Sequence, residues 1–259
     1  MTTFTSNDAM ISYQTFGDAS RPALVFSNSL GTNYGMWQKQ LNHFKQDYFV
    51  ICYDTRGHGS SSAPQGPYSL EQLGLDVINL LDHLNISRAS FCGISMGGLT
   101  GQWLAIHHPQ RFNHVVICNT AAKVGQENAW LERAQLVRQQ GLAQIAATAA
   151  SRWFTERFIQ SHAVTVDNLS HDLAAGSVEG YASCCEALAK ADLREQIKSI
   201  NIPVLIIAGT QDPVTTVADA EYMQQQIAGS QVVAIDASHI SNIEQPDAFN
   251  QAVAQFIQA

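Results

Sequence analysis

The stretch Ala89-Ser90-Phe91-Cys92-Gly93-Ile94-Ser95-Met96-Gly97-Gly98 decides how this chain folds. Its first part, ASFCGI, is a short continuous apolar run, the pattern of a strand covered on both faces. From Ser95 to His107 the residues read as a helix, stopped by Pro109. Strand and helix therefore meet at Gly93-x-Ser95-x-Gly97. A turn that sharp leaves no room for a Cβ at either flanking position, and it pushes Ser95 out at the C-terminal edge of a sheet. There the helix N-terminus offers free N–H groups and a positive dipole end to a developing oxyanion. A glycine-rich turn with an incidental serine is the competing reading, and the partners found elsewhere in the chain weigh against it.

Working outward, the same strand pattern recurs. TTFTS and AMISYQTF lie within residues 1–16, followed by ALVFS at 23–27, FVICY at 49–53, HVVICN at 114–119, PVLIIA at 203–208 and QVVAID at 231–236. Helical runs fill most of the gaps. Leu70, Leu73, Val77, Leu80, Leu81 and Leu84 repeat at spacings of three and four, and Ser69 with Gln72 forms a capping box at the start of that helix. Pro246 and Asp247 open a last helix. Alternating strands and helices mean an α/β fold with a mostly parallel sheet and helices on both faces. Residues 122–196 break the alternation, with helical runs such as Asn128–Gln140 and no convincing strand. A loop of that length does not belong inside a compact domain. The expected organisation is a core of residues 1–121 and 197–259, with 122–196 inserted as a helical cap over one end of the sheet.

Composition bounds the function. With 259 residues and 46% hydrophobic content, the chain has enough apolar material for a sizeable core. Fourteen Lys and Arg against 22 Asp and Glu leave a formal charge of −8, which argues against a nucleic-acid binder. No apolar run approaches the roughly 18 residues of a membrane span. The start, MTTFTSNDAMISY, lacks the features of a signal peptide. Five cysteines, Cys52, Cys92, Cys118, Cys184 and Cys185, show no metal spacing and read as reduced buried thiols, so a cytoplasmic location is expected.

Serine at its ordinary pKa needs a base. His239, in Ala-Ser-His-Ile, follows the apolar run QVVAID and precedes the last helix. Asp212, in Gly-Thr-Gln-Asp-Pro, lies just past PVLIIA and is the expected orienting carboxylate, although the same residues also read as an ordinary surface turn. Asp236 is the rival, less well placed at three residues before His239. The chain order Ser, Asp, His is that of the α/β-hydrolases. Two oxyanion donors are expected: the backbone N–H of Met96, beside the serine, and that of Leu30, in the loop Ser27-Asn28-Ser29-Leu30-Gly31. In Tyr53-Asp54-Thr55-Arg56-Gly57-His58-Gly59-Ser60-Ser61, Asp54 and Arg56 are expected to pair and brace the loop beneath the site. No phosphate loop, dinucleotide fingerprint or metal triad is present, so neither a cofactor nor a metal is expected.

The stretches SNSLGTN, YDTRGHGSS, GISMGG, GTQDPV and DASHI together resemble an α/β-hydrolase. Four further stretches, SNSLGT, CNTAAKVG, WFTERF around Trp153 and GYASCCEALAKADLR, are similar to those of bacterial 3-oxoadipate enol-lactonases of the β-ketoadipate pathway. That resemblance implies hydrolysis of 3-oxoadipate enol-lactone to 3-oxoadipate in aromatic catabolism, with Ser95, Asp212 and His239 as the triad. The substrate would be a small anionic lactone, yet the chain is acidic. Residues 122–196 hold seven of the fourteen Lys and Arg, with nine acids, so a single cation rather than a field must meet the carboxylate. Trp130 and Arg133 lie i, i+3 on one helix face and suit an aromatic wall and a carboxylate fork. Trp153 is the third candidate for substrate binding. A solvated Arg133, with Trp130 and Trp153 in the insert's own core, is the alternative, and Arg138 or Arg152 would then be next. Another carboxylesterase, a carbon–carbon bond hydrolase, a perhydrolase or a non-catalytic ligand receptor of this fold stays open.

Overall fold

The computed structural model describes residues 2–258. The strands are β1 (Thr2–Ser6), β2 (Ala9–Phe16), β3 (Ala23–Ser27), β4 (Phe49–Tyr53), β5 (Ala89–Ile94), β6 (Phe112–Cys118), β7 (Val204–Gly209) and β8 (Gln231–Ile235). They form one sheet in the order β1-β2-β4-β3-β5-β6-β7-β8. β2 runs antiparallel to β1 and β4, and every pairing from β4 to β8 is parallel. Each residue of β3, β5 and β7 is buried, which requires cover on both faces and explains why these strands are apolar without alternation.

The helices are α1 (Gln38–Phe44), α2 (Leu70–His83), α3 (Met96–His107), α4 (Glu127–Gln140), α5 (Ala143–Ala147), α6 (Ala150–Trp153), α7 (Glu156–Ser161), α8 (Ala163–Ala174), α9 (Val178–Lys190), α10 (Val217–Gln226), α11 (Ser241–Glu244) and α12 (Pro246–Ile257). The Ser69/Gln72 capping box starts α2. α3 packs on β5, β6 and α2, and α12 packs on β6, β7, β8 and α1. Between β6 and β7 the chain makes six α-helices, α4 to α9, a short 3-10 turn at Ile197–Ser199, and no strand. Arg138 of α4 staples α9 by bonding both Glu179, at 2.8 Å, and Glu186, at 2.6 Å.

The structure corrects three details. Ser95 stands outside α3, as the residue before its first turn. β6 ends at Cys118, because Asn119 turns into the left-handed region at φ 43°. Asp54 and Arg56 do not pair. The fully buried Arg56 forms a two-pronged salt bridge with Asp76 of α2, at 2.7 and 2.8 Å, and also reaches Asp8. Asp54 instead accepts the Tyr34 and Ser60 amides, both at 2.8 Å. A buried guanidinium needs a partner that can satisfy its fork, and Asp76 meets it edge-on from an adjacent helix.

Candidate active site

In a parallel sheet the C-terminal ends of neighbouring strands lie side by side. Ser95 follows β5, Asn119 follows β6, Asp212 lies just past β7 and His239 just past β8, so four consecutive strands deliver four polar side chains to one edge.

Ser95 takes φ 57° and ψ −112°, a conformation costing on the order of 1–3 kcal/mol for a residue with a Cβ. Its neighbours hold it there. The Ser95 N–H donates to the Cys118 carbonyl at 2.9 Å, and the Ser95 carbonyl accepts the Thr120 hydroxyl at 2.9 Å. The flanking glycines answer to close approach. A Cβ on Gly93 would run into the Gly97 carbonyl, and one on Gly97 into the Ser27 carbonyl. The Gly97 N–H donates to the Asn28 carbonyl at 3.0 Å, which sets the turn against the loop after β3.

The three expected groups are in line. His239 Nε2 lies 2.9 Å from Ser95 Oγ, and His239 Nδ1 lies 2.8 Å from Asp212 Oδ2. All three residues are buried. Asp212 Oδ2 also accepts from the Thr215 hydroxyl at 2.8 Å and the Asn119 side-chain amide at 3.1 Å. Its Oδ1 accepts the Val214 and Thr215 amides at 2.7 and 3.1 Å. Burial pushes the Asp212 carboxyl up, but the hydrogen bond and charge of His239, with the Val214 and Thr215 amides, outweigh it and hold the group below its ordinary value. Asp236 is elsewhere: it is exposed, bonded to Gln211 and within 3.4 Å of Arg157. Asn119 and Thr215 are additions to the site. The available signal was a polar Asn ending an otherwise apolar run beside the Ser95 strand.

Leu30 lines a cavity of about 150 Å³ with Ser29, Ser95 and His239. Neither the Leu30 nor the Met96 N–H is tied to a backbone carbonyl among the described residues, so both are free to donate. Trp130, Arg133 and Trp153 all line this cavity, joined by Arg152, Tyr181 and Leu188. The Trp130 ring is fixed by its Nε1–H, which donates to the Val124 carbonyl at 2.6 Å, and the Arg133 guanidinium sits 4.9 Å from that ring's centroid.

The cations of the insert sort themselves. Lys123, Arg138, Arg157, Lys190 and Arg194 are each paired with a carboxylate. The other two, Arg133 and Arg152, have no carboxylate partner among the described residues, and both face the cavity that holds Ser95. Arg152 spends its donors on the Thr148 hydroxyl and the Ile145 carbonyl. Burial, followed by the like charge of Arg133, lowers its pKa from the ordinary guanidinium value. Burial likewise pushes the Tyr181 hydroxyl up to about 12, against the pull of the two arginines. An anion entering this cavity would relieve two uncompensated charges at once. Arg138, by contrast, is satisfied on the outside of the insert.

Comparison with known proteins identifies the family. The family profile described as alpha/beta hydrolase fold matches residues 22–246. The chain is 65% identical to 3-oxoadipate enol-lactonase 2 of Acinetobacter baylyi over 97% of its own length and 94% of that protein's. It is 49% identical to 3-oxoadipate enol-lactonase 1 of the same organism, over 96% and 93%. Its fold superposes on the crystal structure of the enol-lactonase from Burkholderia xenovorans LB400 with a TM-score of 0.98 at 43% identity, covering 100% of both chains. The chain belongs to the 3-oxoadipate enol-lactonase family, within the alpha/beta hydrolase fold.

Proposed function

We propose that the protein hydrolyses 3-oxoadipate enol-lactone to 3-oxoadipate through an acyl-enzyme. Ser95 Oγ attacks the lactone carbonyl while His239 takes its proton, and Asp212 holds the imidazole with Nε2 toward the serine. The tetrahedral oxyanion is received by the Leu30 amide, in the loop after β3, and the Met96 amide at the N-terminus of α3. Collapse breaks the acyl carbon–oxygen bond of the ring, and His239 gives the proton it took from Ser95 to the departing oxygen, so the imidazole is neutral again. The departing oxygen is an enol, a far weaker base than an alkoxide, and it stays tethered to the acyl chain. Its ketonisation removes the nucleophile that would close the ring again. Water, deprotonated by His239, then attacks the acyl carbonyl, the bond to Ser95 Oγ breaks as His239 returns the proton to it, and the second carboxylate is released.

The observation that carries the substrate class is the pair Arg133 and Arg152, free of carboxylates and lining the Ser95 cavity. In a net-acidic chain, such a pair gives the lactone's carboxylate a place to bind, with Trp130 and Trp153 as apolar walls. Residues 122–196 act in this reading as a cap that selects the substrate, and the remaining residues as the hydrolase core. No described helix is long and apolar enough to cross a membrane, and all five cysteines are buried and unbridged, which supports a cytoplasmic location.

Turnover of the enol-lactone beside neutral aryl esters tests the assignment. The expected result is a kcat/KM at least 100-fold higher for the lactone, with the product identified as 3-oxoadipate. Equal or better turnover of the neutral esters would return the chain to the general carboxylesterases. Binding of the lactone without turnover would favour a receptor.

A further inference from the structure

Two side chains outside the triad grip the loop that carries the Leu30 amide. The Ser29 carbonyl and the Leu30 N–H belong to one peptide unit. That carbonyl accepts twice from Thr32, from its amide at 3.2 Å and its hydroxyl at 2.9 Å. In a planar trans peptide the C=O and N–H point in opposite directions. Holding the Ser29 oxygen against Thr32 therefore holds the Leu30 N–H pointing away from it. The Thr32 hydroxyl also lies 3.0 Å from the Met36 sulfur, but it has one proton, and the carbonyl is the stronger acceptor.

The next peptide unit is held from the other side. The Gly31 N–H donates to His58 Nε2 at 2.9 Å. For Nε2 to accept, the imidazole must be neutral with its proton on Nδ1, and Nδ1 faces the Arg56 carbonyl at 3.3 Å. His58 is itself on a fixed platform. Arg56 is locked by its buried salt bridge to Asp76, and Gly57 packs so closely on Gly180 of α9 that no Cβ fits between them.

We propose that Thr32 and His58 are positioning residues that clamp the two consecutive peptide planes around Leu30, so that its N–H is already aimed when the oxyanion forms. This rests on the reading of Leu30 as an oxyanion donor. It gives the Gly-His-Gly stretch after β4 a role in the reaction and explains why a histidine with no charged partner among the described residues is buried there.

The test uses Thr32→Val, Thr32→Ser, His58→Leu and His58→Gln in the full chain. Each is assayed for kcat and KM on the enol-lactone. Each is also titrated with 3-carboxypropylboronic acid, which becomes a tetrahedral anion on Ser95, and with glutarate, a ground-state dicarboxylate. Loss of a whole oxyanion donor costs about 10²–10³-fold in kcat, so mis-aiming one should cost about 5- to 30-fold. Thr32→Val and His58→Leu are expected to lose that factor in kcat and the same factor in boronate affinity, with KM and glutarate binding within threefold of wild type. Thr32→Ser restores the donor and His58→Gln an acceptor, and both should recover most of the loss.

Wild-type kcat in Thr32→Val, equal impairment of Thr32→Val and Thr32→Ser, or a loss carried by KM and glutarate would overturn the clamp. A wild-type protein that binds the boronic acid no more tightly than glutarate would instead sink the oxyanion reading. Nitrogen NMR of the wild-type imidazole needs no variant: a protonated Nδ1 with a bare Nε2 is expected for His58, and the opposite tautomer contradicts the assignment.

Discussion

The backbone amide of Ile240, the residue after His239, donates to the carbonyl of Trp153 at 3.0 Å. The helical insert is thereby bonded to the loop that carries His239. On the other side of His239, the Ser238 amide donates to Glu244 at 2.9 Å, and Glu244 also accepts the amide and hydroxyl of Thr155. The loop is held twice against the segment 153–155, which begins next to Arg152. The cavity wall and the hold on the His239 loop share one short piece of chain.

Glu244→Ala should therefore damage both stability and activity. It leaves the buried Ser238 amide and the half-buried Thr155 amide and hydroxyl without this acceptor, at up to about 1–3 kcal/mol each before relaxation. A loss of roughly 2–4 kcal/mol in urea unfolding is expected, together with a kcat reduced at least 10-fold at temperatures where the variant is fully folded. Unchanged kcat in a folded variant would show that His239 is held adequately without this carboxylate.

Ser95→Ala should lower kcat by about 10⁴- to 10⁶-fold while leaving the fold intact. Ser95→Gly should be equally inactive but more stable than Ser95→Ala by about 1 kcal/mol, because only glycine adopts positive φ without strain. Parallel denaturant titrations of the two variants measure the difference. Retention of a tenth of wild-type turnover in either would exclude Ser95 as the nucleophile.

Asp212→Asn should cost roughly 10⁴-fold in kcat, since an amide no longer holds the imidazole in its working tautomer. Asp236→Asn, on the surface beside Arg157, should stay within twofold of wild type. The comparison is read from kcat at one pH, and a reversed order would transfer the orienting role to Asp236.

Arg133→Ala and Arg152→Ala should each weaken kcat/KM for the lactone by about 10- to 150-fold, the worth of a charge-assisted hydrogen bond. Both should leave hydrolysis of an uncharged aryl acetate nearly unchanged. Arg138→Ala, whose guanidinium staples α4 to α9 by Glu179 and Glu186, should alter neither ratio. Matching losses on both substrates would indicate a disturbed insert instead of a lost carboxylate partner.

His58 makes stability depend on pH. Burial lowers its pKa to about 4, only partly offset by the Arg56 carbonyl, whereas the unfolded chain titrates near the usual 6.5. Between these values the unfolded state binds the extra proton, so stability rises with pH and falls as pH drops through 6.5 toward 4. From pH 7 to pH 5 this group alone should remove roughly 2 kcal/mol. Urea unfolding of wild type and His58→Gln at the two pH values isolates it: the variant should lose that much less, and parallel slopes would mean His58 is not held neutral.

The strands, the serine turn and the chain order of Ser95, Asp212 and His239 are legible in the sequence because each is a local pattern. Burial on both faces writes a continuous apolar run such as VLIIAG, steric closeness writes Gly93 and Gly97, and the polar residues that line up with Ser95 stand just past apolar runs, as Asp212 and His239 do. What the tertiary structure alone decides is which distant groups meet. Arg56 has an acid two residues away, yet it bonds Asp76, twenty residues on, because α2 brings that carboxylate to its fork. Asn119 reaches Asp212 across 93 residues because β6 and β7 are neighbours. Seven cations in the insert look alike as letters, and only packing shows that five find acids while Arg133 and Arg152 turn inward to the cavity. Periodicity records which face of an element is buried; it carries no record of which charges on two separate elements come within hydrogen-bonding distance, since that depends on how the elements pack.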